Sequence, residues 1–249
     1  MSTTNSPTKT SLRLGALACV VVAVATGVAL TQRDLDPSLA PAMGERAVVL
    51  PDGKALWVQR HEVTVAEWNL CAAEKACTLT LRARPDQYPE TTPATGLSYL
   101  DVQEYLAWIN ARTGHTYRLP TAAEWTHMAT PVLPDEPDPT FTDPSLTWAS
   151  TYLTEGNAPR ALKPQGSFST SADGIADLDG SVWEWTQDCY AGGLGEVDPA
   201  RCPAYFVGGE HVAAMSYLIR DPARGGCAVG APPAHLGMRL VSDEAVRGQ

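Results

Sequence analysis

The segment GIADLDGSVWEW, Gly174 to Trp185, begins on a glycine-bounded turn and closes on a Trp-Glu-Trp run. In extended backbone, side chains alternate between faces, so Trp183 and Trp185 point one way and Glu184 the other. Two large indoles on one face call for a hydrophobic core beneath them. The carboxylate on the opposite face needs a partner if it is buried, and Arg118 or Arg239 would serve. Asp177 reads as a turn or cap residue.

Upstream of this segment, three helix starts carry one signature. Thr64-Val65-Ala66-Glu67, Ser98-Tyr99-Leu100-Asp101 and Thr121-Ala122-Ala123-Glu124 each set a hydroxyl at the N-cap and a carboxylate three residues later. In that arrangement side chains and backbone N–H groups satisfy one another. Val65, Trp68 and Ala72 then share a face. Val102, Tyr105, Leu106 and Ile109 recur at i, i+3, i+4, i+7, and Gly114 marks the stop. Pro120 precedes the third helix, and each helix carries one Trp (Trp68, Trp108, Trp125) that reads as core packing. Ala47–Leu50 and Ala55–Val58 flank the turn signal Pro51-Asp52-Gly53-Lys54 and predict a hairpin. Residues 130–145, rich in Pro, Asp and Thr, predict a long surface loop, followed only by short strands and loops. The class is α+β with a large irregular fraction: a single loop-rich domain over 46–249, preceded by a linker at 32–45.

A chain of 249 residues, 44% of them hydrophobic, supports one domain with a sizeable core. A net charge of −10 and the lack of any Lys/Arg run exclude nucleic acid as a partner. Residues 1–13 are polar and carry Lys9 and Arg13, whereas Leu14 to Thr31 has no charge. The segment 14–31 reads as an export signal or a single membrane anchor, with 1–13 in the cytoplasm and the domain outside. Ala23-Val24-Ala25 offers a cleavage site, giving a periplasmic protein if used. Six cysteines in an exported chain predict disulfides. Pairing by proximity joins Cys71 to Cys77 and Cys189 to Cys202 and leaves Cys227 alone, with Cys19 in the apolar segment; other pairings remain open.

The order of motifs resembles the formylglycine-generating enzymes and their sulfatase-modifying-factor relatives. The matching elements are His61-Glu62-Val63-Thr64, the block from Pro93 to Trp125, Gly174–Trp185, Gly208-Gly209 and Gly237-Met238-Arg239. The likeness spans about residues 45–242 and implies a compact fold related to C-type lectins. It also implies a structural calcium ion beside the Trp-Glu-Trp segment, with Glu184 as a ligand; Ser181 stands where the family pattern has Asn.

Family enzymes oxidise a cysteine of a target sulfatase using a copper-binding cysteine pair placed shortly after the G-G-S element. Counted from Gly208-Gly209, those positions are Ala213 and Leu218, and the serine is Glu210. Without soft thiolate ligands, copper is not expected, nor is formylglycine chemistry. Glu210 and His211 form a potential acid–base pair and Cys227 is a further catalytic candidate, although a lone His is more often structural. Tyr217, Arg220 and Arg224 are candidate contacts of the former substrate cleft. The chain also resembles accessory proteins encoded beside copper nitrite reductases in denitrifying bacteria, through Leu79–Arg84 and Arg224–Cys227. The expectation is an accessory, maturation or binding protein for a protein or peptide partner in the periplasm, such as a nitrite reductase. The alternative is an oxidoreductase acting on a peptide or peptide-derived substrate without the cysteine pair.

Overall fold

A computed structural model of the chain describes Met1 and residues 35–134, 161–190, 202–209, 212–221 and 235–246. Helices α1 (Val65–Ala73), α2 (Tyr99–Thr113) and α3 (Ala122–Ala129) start where the capping signatures place them. All three boxes close in both directions: in α1 the Glu67 N–H donates to Thr64 Oγ1 at 3.1 Å, and Glu67 Oε2 accepts from the Thr64 N–H at 2.8 Å. Helix α2 ends on Gly114 in the left-handed region (φ 66°), a conformation that costs glycine nothing.

Two small sheets complete the frame. Strands β1 (Val48–Val49) and β2 (Ala55–Val58) form the expected hairpin, and β2 pairs on its other edge with β7 (Val241–Ser242). The second sheet has the order β5-β4-β3-β6, built from β3 (Val182–Cys189), β4 (Ala204–Gly208), β5 (Val212–Ser216) and β6 (His235–Gly237). Its β3–β6 pair is parallel and its other pairs antiparallel.

Strand β3 is covered on both faces, with every residue from Val182 to Thr186 buried. Trp183 and Trp185 enter the larger core with Trp68, Tyr105 and Trp108. Trp68 stacks on Tyr105 at 5.4 Å, and the Trp185 Nε1–H donates to the Leu97 carbonyl at 2.8 Å. A smaller core, with Trp125, Leu56 and Ile175, lies around α3 and the hairpin.

Two disulfides close as proximity predicted, Cys71–Cys77 and Cys189–Cys202. From Asp36 onward the expected linker at 32–45 makes contacts with the rest of the domain. The Asp36 N–H donates to the Arg112 carbonyl at 2.7 Å and the Gly44 N–H to the Val58 carbonyl at 2.8 Å, while Met43 is buried and bridges to Gln59. The prolines there shape a short 3-10 turn at Pro37–Leu39 rather than a free tether. Among the described residues no helix is long and apolar enough to cross a membrane; the segment 14–31 lies outside them, as does most of the expected 130–145 loop.

Candidate functional site

Glu184 turns away from its two flanking indoles, as alternation requires, and meets Arg239. The Arg239 Nη2 donates to Glu184 Oε1 at 2.8 Å and its Nε at 3.0 Å, while the Trp125 Nε1–H donates to Oε2 at 2.8 Å. Arg239 is fully buried and spends its remaining N–H groups on the Gln59, Arg60 and Ala176 carbonyls. The guanidinium is therefore saturated, as a buried cation must be. This is the arginine partner that the sequence left open, with Arg239 chosen over Arg118. Arg118 instead holds Glu124 and Asp243. The calcium reading of Glu184 does not fit this donor set: both oxygens already receive N–H groups, and a guanidinium stands where a dication would be repelled.

The cluster has two further acids. Asp177 has a positive φ of 65°, and its carboxylate accepts from the Gly166 and Phe168 N–H groups and faces His61 Nδ1 at 3.0 Å. Burial pushes its carboxyl up, but these partners outweigh that and hold it below the ordinary aspartate value. Glu62 is the opposite case. It is 1% exposed, its Oε2 lacks a hydrogen bond, and its ion-pair contact to Arg239 Nη2 is long, at 3.8 Å. Burial pushes it up, Arg239 pulls it down, and Glu184 pushes it up again, to about 8.

The G-G element has a packing reason. A Cβ on Gly208 would sit 2.1 Å from Trp125 Cδ2, and one on Gly209 would sit 2.3 Å from Trp183 Cδ2, so indole faces press directly on the backbone. The element thereby fixes where β5 begins. Ala213 is buried in that strand and Leu218 is 58% exposed just beyond it. Methyl and isobutyl groups at these positions offer no thiolate, hence no soft metal ligand and no exchangeable sulfur.

Of the candidate contacts, Tyr217 and Arg220 fall within the described residues. Tyr217 packs against the larger core, and its backbone accepts from the Tyr99 N–H at 3.1 Å. Arg220 is already engaged, since its Nε and Nη2 donate to the two Asp101 oxygens at 2.8 and 2.7 Å. It pins the end of β5 to the N-terminus of α2 rather than standing free in a cleft. Asp101 serves as both helix cap and anchor for this arginine. Glu210, His211, Arg224 and Cys227 lie outside the described residues, and no group of three or more His, Cys, Asp or Glu side chains among the described residues could hold a metal ion. In the sequence Glu62 stands only as a letter of the His61–Thr64 motif, and the Asp101–Arg220 tie has no local signal.

Residues 21–244 match the sulfatase-modifying factor enzyme 1-like domain, which covers nearly the whole chain. The chain belongs to this family. A formylglycine-generating enzyme of Mycobacterium tuberculosis is 24% identical over 250 aligned positions, covering 88% of this chain and 81% of that protein. Among solved structures, PvdO from Pseudomonas aeruginosa matches with a TM-score of 0.45 and 22% identity, over 76% of this chain and 80% of its own. CarF matches with a TM-score of 0.46 and 17% identity, over 81% and 95%. Treponema denticola variable protein 1 gives 0.46 and 15%, over 82% and 93%. The matched range includes Trp183-Glu184-Trp185, Gly208-Gly209, Ala213 and Leu218.

Proposed function

We propose that this protein is an exported or membrane-anchored family member without formylglycine-generating activity. It acts as an accessory, maturation or binding protein for a periplasmic metalloenzyme, with a nitrite reductase as the partner class the sequence likeness favours. The single observation that carries the loss of catalysis is the pair Ala213 and Leu218, one buried in β5 and one exposed beside it, at the counted positions of the copper thiolates. Oxidation of a peptide cysteine by that route needs two soft ligands, and these side chains supply none. Lys9 and Arg13 ahead of the uncharged run 14–31, together with two disulfides in the domain, support placement outside the cytoplasm.

The test is metal content and activity of the full-length protein purified without chelator. Incubated with copper, oxygen and a sulfatase-derived cysteine peptide, it is expected to leave the thiol intact, and it is expected to purify without stoichiometric copper or iron. Stoichiometric copper or iron that disappears in Cys227→Ser or His211→Ala would overturn the accessory reading in favour of an oxidoreductase with a rebuilt site.

A further inference from the structure

A groove of about 540 Å³ opens beside α1, within the size range of ligand sites. Its floor is apolar, with Val65, Leu81 and Leu162 among its lining, and its rim carries Arg82, Arg84 and Gln87. Among the described residues no aspartate or glutamate lines it, in a chain whose net charge is −10. Neighbouring Asp86 and Glu90 stand outside the lining.

The rim is held in place by its backbone. Asn69, on α1, grips Leu81 from both sides: its Nδ2 donates to the Leu81 carbonyl at 3.0 Å and its Oδ1 accepts from the Leu81 N–H at 3.0 Å. The Trp68 Nε1–H holds the Leu79 carbonyl at 2.8 Å. Gln87 closes the following turn, its N–H donating to the Arg84 carbonyl at 2.9 Å and its Oε1 accepting from the Arg84 N–H at 3.2 Å. Leu79 and Leu81 pack on the core while Arg82 and Arg84 are exposed.

This arrangement leaves an excess of donors. Arg46, Arg112, Arg118, Arg220 and Arg239 each face a carboxylate. Arg82 and Arg84 face none among the described residues, and the Gln87 Nε2 makes no hydrogen bond there. Two guanidiniums two residues apart on a pinned backbone, with an amide N–H₂ beside them, present donors only, in the fork geometry that matches carboxylates. We infer that this groove recognises the carboxylates of an acidic peptide segment, with the apolar floor taking the aliphatic stems between them. The inference rests on the reading of this chain as a peptide-binding accessory protein and adds the chemistry of the partner.

The test is fluorescence anisotropy of the full-length protein with labelled hexaglutamate at low ionic strength. Arg82→Gln/Arg84→Gln should weaken binding about tenfold, the combined effect of two exposed ion pairs, and added salt should weaken the native protein. Lys54→Gln/Lys75→Gln removes the same charge elsewhere and should leave binding unchanged. Circular dichroism should show the arginine variant fully folded, because neither guanidinium holds the fold. Failure of hexaglutamate to bind, or equal binding by the arginine variant, overturns the inference. Inorganic phosphate competing as well as unlabelled hexaglutamate, at equal concentration of charge, overturns the peptide assignment in favour of free anions. The metal and thiol measurements of the preceding section are independent of these outcomes, so either reading can fail alone.

Discussion

Replacing Glu62 with Gln should remove the pH dependence that this one buried acid imposes on stability. Its carboxyl is 1% exposed, lacks a hydrogen bond at Oε2, and lies 3.8 Å from an arginine already saturated by Glu184 and three carbonyls. Burial first, opposed by Arg239 and reinforced by Glu184, pushes it from 4.5 to about 8. A folded value above the unfolded one means that the folded state keeps a proton the unfolded state releases. The stabilisation is complete below the unfolded value and is lost as pH rises toward the folded one. Between pH 5 and pH 8 the loss amounts to about 3 kcal/mol, at no more than about 1.4 kcal/mol per pH unit. Glutamine has the shape of the neutral acid and no proton to lose. The stability of Glu62→Gln minus that of the native protein should therefore rise by about 3 kcal/mol across that window. Urea denaturation at pH 5, 6, 7 and 8 under non-reducing conditions measures this, and the subtraction cancels the other titrating groups. A difference that stays flat, or that falls with pH, would mean Glu62 is ionised and paired with Arg239, and would refute the reasoning.

Three further outcomes are expected. Arg239→Met leaves Glu184 buried beside an apolar chain and should cost about 3–5 kcal/mol in chemical denaturation, with Glu184→Gln/Arg239→Met recovering part of it. Gly209→Ala drives a methyl to 2.3 Å from the rigid Trp183 ring and should cost at least about 2 kcal/mol, with a changed near-ultraviolet circular dichroism signal for the buried indoles. Cys71→Ser/Cys77→Ser opens a bridge spanning 6 residues and should cost about 2 kcal/mol, against about 3 kcal/mol for Cys189→Ser/Cys202→Ser, whose bridge spans 13, both read by thermal unfolding.

The features legible in the sequence were those written within a few residues. Thr64 with Glu67, Ser98 with Asp101 and Thr121 with Glu124 fix helix starts because the bonding partners are three positions apart. The β1–β2 hairpin and the two short disulfide loops were likewise local. What stayed hidden depends on chain-distant meetings. The docking of Asp36 on Arg112, the choice of Arg239 for Glu184, and the capture of Arg220 by Asp101 join residues that no spacing rule connects. Glu62 was legible as a motif letter but not as a buried acid, because its environment is assembled from Arg239, Glu184 and Asp177. Of the site, the alanine and leucine at 213 and 218 could be read directly, since they are substitutions within a pattern. The groove bearing Arg82 and Arg84 could not, because it is assembled from Val65, Leu81, Leu162 and His235, which lie far apart in the order of residues.

The two sheets are each closed by the far end of the chain. Strand β2 pairs Trp57 with Ser242, and β3 pairs Val182 with His235 in parallel. Neither sheet is complete until the segments 235–237 and 241–242 have joined it, and a parallel partner recruited from so far along the chain is a slow contact to form. The hairpin and the capped helices have local partners, but the core around Trp183 and Trp185 is incomplete until Leu236, Met238 and Leu240 join it. The domain's folding rate is therefore set by these two long-range pairings rather than by its locally capped helices.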